Sequence, residues 1–143
     1  MSRLEIDFPE KFDFSIEIPM RKIDTDYGLH VGFDKYFSLI GEGYYRYMDH
    51  HGISPDNIWG TDVALVFGDA SIIYGREIRH DDLIRIESGS YNFKDKTFDY
   101  ITKLSKKNGE ILVSKSKFTV LCMDHNLRKA ISIPERVLQT LKR

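Results

Sequence analysis

One long segment with helical spacing, followed by segments that alternate, most constrains what this chain can fold into. Between Phe33 and about residue 51, apolar residues recur every three or four positions. They are Phe33, Tyr36, Phe37, Ile40, Tyr44, Tyr47 and Met48. This spacing predicts one broad apolar face on a long helix. Asp34 is expected at its N-cap or in its first turn, and Gly52 at its C-terminal end.

The segment before this helix and two of those after it, residues 83–88 and 98–104, have the period of two that is typical of half-buried strands. Residues 12–20 form the first, in which Pro19 indicates a sheet edge or a bulge. Residues 63–74 are instead rich in Val, Ile, Phe and Ala, and a turn signal precedes residues 111–123. Four more strands are predicted at residues 63–74, 83–88, 98–104 and 111–123. Pro134 and Glu135 indicate the start of a short C-terminal helix.

The sheet is the only large apolar surface that could cover the face of this helix. The pattern therefore predicts an α+β fold, with an antiparallel sheet of five or more strands wrapped around a long central helix. The 143 residues fit a single domain, residues 1–143, with a core of its own. The edge strands of such a sheet would lack partners in a monomer, so at least a dimer is expected.

Composition excludes several classes of protein. The formal net charge is -1 and the charges are interspersed, so no nucleic-acid partner is expected. No apolar run is long enough to span a bilayer, and residues 1–7 do not resemble a signal peptide. The lone cysteine, Cys122, cannot form an internal disulfide. These features favour a cytoplasmic protein with no membrane partner.

The loop between the first strand and the helix holds the chemically most interesting residues: Asp24, Asp26, Gly28 and His30. A carboxylate there would lie beside the unpaired N–H groups at the start of the helix. Such an arrangement suits attack on a carbonyl group. Aspartate is also common in turns, and the residue types alone favour a turn or capping role for Asp26. Asp24 is expected to bond loop amides.

Two glycines, Gly41 and Gly43, interrupt the predicted helix. Each should cost about 1 kcal/mol relative to alanine. Close packing of the helix on the sheet is the favoured explanation, with room for a ligand as the alternative.

Three blocks of residues carry a resemblance to a known family. Asp24, Asp26, His30, Val31 and Tyr36 match its opening motif in register; Tyr74, Arg76, Asp82 and Leu83 match a second block; Asp124 and Ile133-Pro134-Glu135 match a third. Over nearly its whole length, the chain resembles the hotdog-fold acyl-CoA thioesterases of the 4-hydroxybenzoyl-CoA thioesterase-like family.

The resemblance implies hydrolysis of an acyl-CoA or acyl-carrier thioester to the free acid and the thiol. Asp26 corresponds to the family's catalytic carboxylate, which acts as nucleophile or general base. The backbone N–H at about Phe33 corresponds to the group that polarises the carbonyl. His30, Gly32 and Tyr36 are the other expected substrate-binding residues. The family needs no metal or cofactor and forms homodimers or homotetramers.

The sequence also departs from the family pattern. Leu29 stands where the family has its glycine, Gly32 replaces an asparagine, and Glu77 replaces a proline. The change at Gly32 leaves open a non-catalytic protein that binds acyl or CoA ligands. It also leaves open a ligand that approaches the bare backbone. A hotdog dehydratase or hydratase is a further alternative, although such enzymes use a different motif.

Other chemistries fit the sequence poorly. Asp24-Thr25-Asp26 begins like a calcium loop, but Leu29 and Lys35 stand where glycine and glutamate are needed. One cysteine does not make a zinc pattern, and no Gly-x-Ser-x-Gly occurs. A glutamate on the helix, Glu42, is a weaker catalytic candidate. Cations available for CoA phosphates are Arg76, Arg79, Lys94 and Lys96.

Overall fold

The computed structural model describes residues 5–7, 9–26, 28–56 and 58–142. Tyr27 and Asn57, which were predicted in loops, and residues 1–4 of the N-terminal segment lie outside this part. The elements are β1 (Phe14–Pro19), α1 (Phe33–His50), β2 (Val63–Tyr74), β3 (Leu83–Tyr91), β4 (Thr97–Lys106), β5 (Ile111–Asp124), β6 (Lys129–Ala130) and α2 (Glu135–Leu141). Short 3₁₀ turns lie at Lys22–Asp24 and Ile58–Gly60. The sequence predicted each of these elements except β6 and the 3₁₀ turns.

The strands form one antiparallel sheet in the order β1-β3-β4-β5-β2, with β6 paired to β5. Within the described residues, β1 and β2 are its outer strands. Pro19 ends β1 opposite Leu83, which confirms the predicted edge position. The pairing of β2 with β5 shifts register between Phe67 and Asp69, so the long edge strand is bulged.

The central helix lies across one face of the sheet with its aromatic side inward. Its buried residues are Tyr36, Leu39, Ile40, Gly43, Tyr44, Tyr47 and Met48. The prediction that Phe33 and Phe37 belong to this face was wrong, since they are 74% and 48% exposed. Phe33 is the first residue of the helix, and Phe37 lies at the margin of the buried face. Leu39, which the sequence pattern omitted, is buried instead.

The two helical glycines have different surroundings. A β-carbon on Gly43 would lie 2.6 Å from Cγ2 of Ile86, so close packing on β3 explains this glycine as predicted. A β-carbon on Gly41 would meet no atom within 4 Å. The packing explanation was therefore wrong for Gly41, because that position faces away from the sheet.

The ends of α1 follow the predicted chemistry in part. The N-cap position is Gly32, and Asp34 lies in the first turn. His51 is the C-cap, and Gly52 follows with a φ of +70°, a conformation that favours glycine after a helix. Within the described residues, no helix combines the length and apolar character needed to cross a bilayer.

Candidate active site

The loop that precedes α1, residues 21–32, is called the Asp26 loop below. It folds partly on its own backbone: the N–H of Asp26 donates to the carbonyl of His30 at 2.9 Å, and the N–H of Leu29 donates to the carbonyl of Asp26 at 3.2 Å. Gly28 and Leu29 both have positive φ, +95° and +60°. Leu29 thus adopts a conformation that glycine adopts at lower cost.

The Asp26 loop is fastened to the segment that leads into β3. The N–H of Val31 donates to the carbonyl of Ile78 at 2.9 Å, and His30 forms a bridge with Arg79. This segment is held in turn by Asp82, which accepts from the N–H of Arg79 at 2.7 Å and from Nζ of Lys106 at 2.9 Å. The sheet therefore fixes the Asp26 loop through β3.

Asp82 and Lys106 form a nearly buried ion pair, with side chains 9% and 10% exposed. Burial acts to raise the pKa of Asp82. Hydrogen bonds from the Lys106 ammonium and the Arg79 N–H outweigh burial, so the pKa lies below its usual value. The carboxylate of Asp82 is therefore a charged anchor beneath the site.

Asp24 has the structural role expected from the sequence. Its carboxylate accepts from the backbone N–H of Arg21 at 2.9 Å and from Nε of Arg21 at 3.2 Å. These bonds from Arg21 lower the pKa of Asp24. They close the 3₁₀ turn that begins the Asp26 loop. Asp26 is the other residue of this loop with a carboxylate.

Asp26 lies at the N-terminus of α1, beside the bare backbone of Gly32. A β-carbon on Gly32 would be 3.1 Å from Oδ2 of Asp26 and 2.7 Å from Oδ1 of Asp34. The two carboxylates therefore flank the same backbone position. Gly32 is the N-cap residue and has no side chain, so it supplies no side-chain hydrogen bond to the first turn of α1. The first N–H groups of the helix are thus positioned to stabilise negative charge.

His30 is held between two charged side chains. Its Nε2 is 3.1 Å from Nη1 of Arg79, and its Nδ1 is 3.5 Å from Oε2 of Glu77. Arginine can only donate, so Nε2 accepts and the ring proton lies on Nδ1, towards Glu77. Both ring nitrogens are engaged, so this geometry orients the Asp26 loop on the segment before β3.

Tyr36 lies in the first turns of α1 and is buried, with 6% exposure. Its ring contacts the ring of Tyr74 edge to face, with 5.1 Å between the centroids. Burial raises the pKa of Tyr36 above its ordinary value. Tyr36 thus connects the start of α1 with the end of β2.

The site is open in the single chain, where Asp26 is exposed. A recess of about 400 Å³ lies between the end of β1 and α1, and its walls include Met20, Lys35 and Leu39. A second, of about 770 Å³, lies between β2 and β5 and includes Arg76. Asp26 is not among the residues that line either recess.

The four cations suggested for CoA phosphates do not lie together. Arg76 and Arg79 belong to the segment between β2 and β3, and Arg79 contacts His30 of the Asp26 loop. Lys94 and Lys96 lie on the turn between β3 and β4, at the other end of the sheet. Glu42 lies on the exposed side of α1, paired with Arg46 at 2.7 Å.

The cysteine of this chain, Cys122, belongs to the hydrophobic core. Cys122 is buried, and burial raises the pKa of its thiol to about 11, so it is a poor nucleophile. In the part of the chain that the structure describes, no three His, Cys, Asp or Glu side chains are grouped as metal ligands.

Sequence reasoning missed two features of this site: the approach of Asp34 to Asp26, and the contact of Glu77 with His30. The sequence predicted Asp34 at the N-cap or in the first turn of α1. Its proximity to Asp26 could not be predicted, because it depends on the conformation of the Asp26 loop. Glu77 lies far from His30 in the sequence, and only the bridge between His30 and Arg79 brings them together.

Comparison with solved structures gives the same fold. A 1,4-dihydroxy-2-naphthoyl-CoA thioesterase from Synechocystis is 20% identical, with a TM-score of 0.80, over 90% of this chain and 95% of the other. A Staphylococcus aureus protein solved in complex with CoA is 16% identical, with a TM-score of 0.83, over 96% and 86%. A DHNA-CoA thioesterase from Staphylococcus aureus is also 16% identical, with a TM-score of 0.72, over 82% and 78%.

The sequence itself identifies the family. No curated protein matches this sequence. Residues 20–141, however, match the thioesterase-like superfamily, and this range includes the Asp26 loop, the central helix and every strand after β1. The architecture is the one that the three sequence blocks implied. The chain belongs to the thioesterase-like superfamily and has the hotdog fold.

Proposed function

We propose that this protein hydrolyses an acyl-CoA or acyl-carrier thioester, with Asp26 as its catalytic carboxylate. One observation carries the proposal: the carboxylate of Asp26 lies beside an uncapped N-terminus of α1. A carbonyl held there would have its oxygen near backbone N–H groups and its carbon near a base. This is the geometry that acyl transfer requires.

In the general-base form of the mechanism, Asp26 takes a proton from water as the water oxygen bonds to the thioester carbon. The N–H of Phe33 stabilises the negative charge on the carbonyl oxygen. Collapse of the tetrahedral intermediate breaks the carbon–sulfur bond, and the thiolate recovers the proton. In the nucleophilic form, Asp26 adds to the carbon and the carbon–sulfur bond breaks, so the thiolate leaves and an anhydride with Asp26 remains. Water then hydrolyses the anhydride to the free acid and the Asp26 carboxylate, and the proton released goes to the thiolate.

The other expected site residues have supporting roles in this proposal. His30 orients the Asp26 loop through Arg79 and Glu77. Gly32 leaves the backbone bare where the acyl carbonyl approaches. The buried ring of Tyr36 provides an apolar surface behind the carbonyl, against which the acyl group packs.

A second copy of the chain would complete the site as a homodimer, and pairing of dimers would give a homotetramer. The free edge of β2 is the surface that supports this. It extends over 12 residues and exposes Val66, Phe67 and Tyr74. The other edge, β1, has only 6 residues and is protected by Glu17 and Pro19. A partner along β2 would lie beside Tyr74, which contacts Tyr36.

Hydrolysis is tested with purified protein, a panel of acyl-CoA thioesters and a reagent that traps the released thiol. Asp26→Asn should lower kcat about 10²–10⁴-fold, the usual contribution of a general base. Asp49→Asn, which removes an exposed acid from the far end of α1, is the matched control and should be neutral. Equal rates for Asp26→Asn and wild type would remove Asp26 from the mechanism.

The non-catalytic alternative has its own signature. The strained Leu29 and the exposure of Asp26 are the observations that favour it. Calorimetry that measures binding of an acyl-CoA, with no thiol released by wild type across the panel, would support a binding protein instead of an enzyme. Turnover of an enoyl-CoA to a hydrated product would support the hydratase alternative.

The subunit contact is tested by a charge on each edge strand. Val66→Lys on β2 should shift the protein towards monomer and lower its activity, because a buried lysine without a partner opposes association. Ser15→Lys on β1 is the matched control and should leave the assembly intact. Analytical ultracentrifugation measures both, and a dimer that survives Val66→Lys but dissociates with Ser15→Lys would place the contact on β1.

We also propose a cytoplasmic location. The single cysteine of the sequence is buried and unpaired, as expected for a protein that does not depend on disulfides. Cell fractionation that recovers the protein outside the cytoplasm would contradict this.

A further inference from the structure

Gly32, at the N-cap of α1, is a glycine that its backbone conformation does not require. Its φ of -66° and ψ of 154° are accessible to any residue. Serine, aspartate and asparagine are at least as common at an N-cap and would supply a side-chain acceptor that glycine lacks. The reason for glycine at this position must therefore lie in the space around it.

That space is occupied by two carboxylates. A β-carbon on Gly32 would lie 2.7 Å from Oδ1 of Asp34 and 3.1 Å from Oδ2 of Asp26. Both oxygens are at the ends of exposed side chains. A larger residue would therefore rotate the carboxylates away at little cost to the fold. Gly43 differs, since its β-carbon would press on the buried side chain of Ile86.

We propose that Gly32 is a positioning residue: its missing side chain is what allows the carboxylate of Asp26 to lie against the N-terminus of α1. The inference rests on the proposed function, in which Asp26 is the catalytic group. It also gives a role to the departure from the family pattern. The β-carbon of an asparagine at position 32 would enter the volume next to Asp26 that glycine leaves open.

The expected effect is on the chemical step. Reacting groups misplaced by about 1 Å lose roughly 10²-fold in rate. The displacement that a β-carbon requires is smaller, so kcat should fall about tenfold. KM should change less than about twofold, because groups that bind the rest of the substrate do not move.

Gly32→Ala and Gly32→Ser test the inference on the substrate of the panel that wild type hydrolyses fastest. Gly41→Ala is the matched control, since it makes the same substitution in the same helix where a β-carbon meets no atom. Serine is a good N-cap, so a purely structural role predicts unchanged or improved behaviour of Gly32→Ser. Positioning predicts that both Gly32 variants lose kcat while their melting temperatures stay near that of wild type.

Addition of Asp34→Ala to Gly32→Ala identifies which carboxylate matters. It removes the 2.7 Å contact and leaves the 3.1 Å contact with Asp26. The inference predicts that kcat remains low. Full recovery would assign the effect to Asp34 and overturn it, as would Gly32→Ala and Gly32→Ser enzymes with the kcat of wild type.

Crystal structures of wild type and Gly32→Ala decide the point independently of turnover. Oδ2 of Asp26 should move away from its wild-type position, and an unmoved carboxylate would overturn the inference. If Asp26→Asn is fully active, the catalytic role proposed for Asp26 fails but the structural comparison still stands. If wild type releases no thiol from any substrate of the panel, the proposed hydrolysis itself fails. If Asp26→Asn is inactive and both Gly32 variants are normal, only the positioning role fails.

Discussion

The middle of α1 and the Asp26 loop both contain a glycine against which other groups lie closely, yet these regions serve different ends. Around Gly43, Tyr47 and Tyr100 are fully buried, and their hydroxyls are paired with Ser90 and Ser88 at 2.8 and 2.7 Å. Around Gly32, the neighbours are exposed carboxylates that are free to rotate. The first region is fixed by packing and the second by a few hydrogen bonds.

The difference teaches that sequence changes in the two regions should affect different measurements. Substitutions beneath the middle of α1 should change the free energy of unfolding, because buried side chains cannot adjust without loss. Substitutions in the Asp26 loop should change turnover, because the loop bears little of the core. The following predictions test this division, beginning with the largest expected effect.

The first prediction concerns Asp82, which holds the segment to which the Asp26 loop is bonded. Asp82→Ala should lower the free energy of unfolding by about 3 kcal/mol. It leaves the nearly buried ammonium of Lys106 without its charged partner, bonded only to the carbonyl of Glu77 among the described residues. Denaturant unfolding measures this, and Asp81→Ala, which removes the exposed neighbouring acid, is the control. An unchanged stability would mean that the Asp26 loop is held by contacts other than this pair.

The same ion pair predicts a dependence on pH. The folded state lowers the pKa of Asp82, so the unfolded chain binds the proton more readily. The stabilisation is complete above the ordinary pKa of about 4 and is lost as pH falls through the lower, folded value. The gap in unfolding free energy between wild type and Asp82→Ala should therefore narrow towards pH 3. A gap that widens in acid would contradict this.

The second prediction compares the two helical glycines. Gly43→Ala should destabilise by about 1–2 kcal/mol, because overpacking against Ile86 exceeds the gain in helix propensity. Gly41→Ala should stabilise by about 1 kcal/mol, since its β-carbon lies in open space. Thermal unfolding measures both. Stabilisation of similar size in both variants would mean that α1 can move away from β3 freely.

The smallest prediction concerns strain in the Asp26 loop. Leu29 has a φ of +60°, which costs roughly 1 kcal/mol for a residue with a side chain. Leu29→Gly should relieve this strain, offset in part by the greater freedom of glycine in the unfolded chain, for a net gain below about 1 kcal/mol. Leu29→Ala retains the strain and is the control; a glycine variant less stable than the alanine variant would show that the leucine side chain itself stabilises the loop.

Much of the fold could be predicted because its signals are local. The period-two segments became strands, the aromatic segment became α1, and Gly52 ended it with positive φ. The errors occurred where neighbours outside the segment decide the outcome. Phe33 and Phe37 have the right spacing for the core, but the sheet does not cover them. Gly41 and Gly43 look alike in the sequence, but a β-carbon on Gly43 would contact Ile86 and one on Gly41 would contact no atom.

For the site, the sequence singled out Asp26 and assigned Asp24 to the backbone of its own turn, which the bonds from Arg21 confirm. A motif read along the chain can identify which residues belong to a loop. It cannot give distances between side chains that a turn brings together, because these depend on backbone angles several residues away. The approach of Asp34 and Asp26 to Gly32, and of Glu77 to His30, is information of this second kind.

The sequence by itself determined that one amphipathic helix must be covered by an antiparallel sheet, and it singled out the loop in which the chemistry is proposed. Apolar periodicity and turn residues act over a few positions, so they can be read without coordinates. Only the tertiary structure decided that Gly32 makes room for a carboxylate and that Gly43 packs against β3. It also decided that the edge of β2 is exposed. These outcomes depend on contacts between segments distant in the chain, and a sequence does not specify how closely such segments approach.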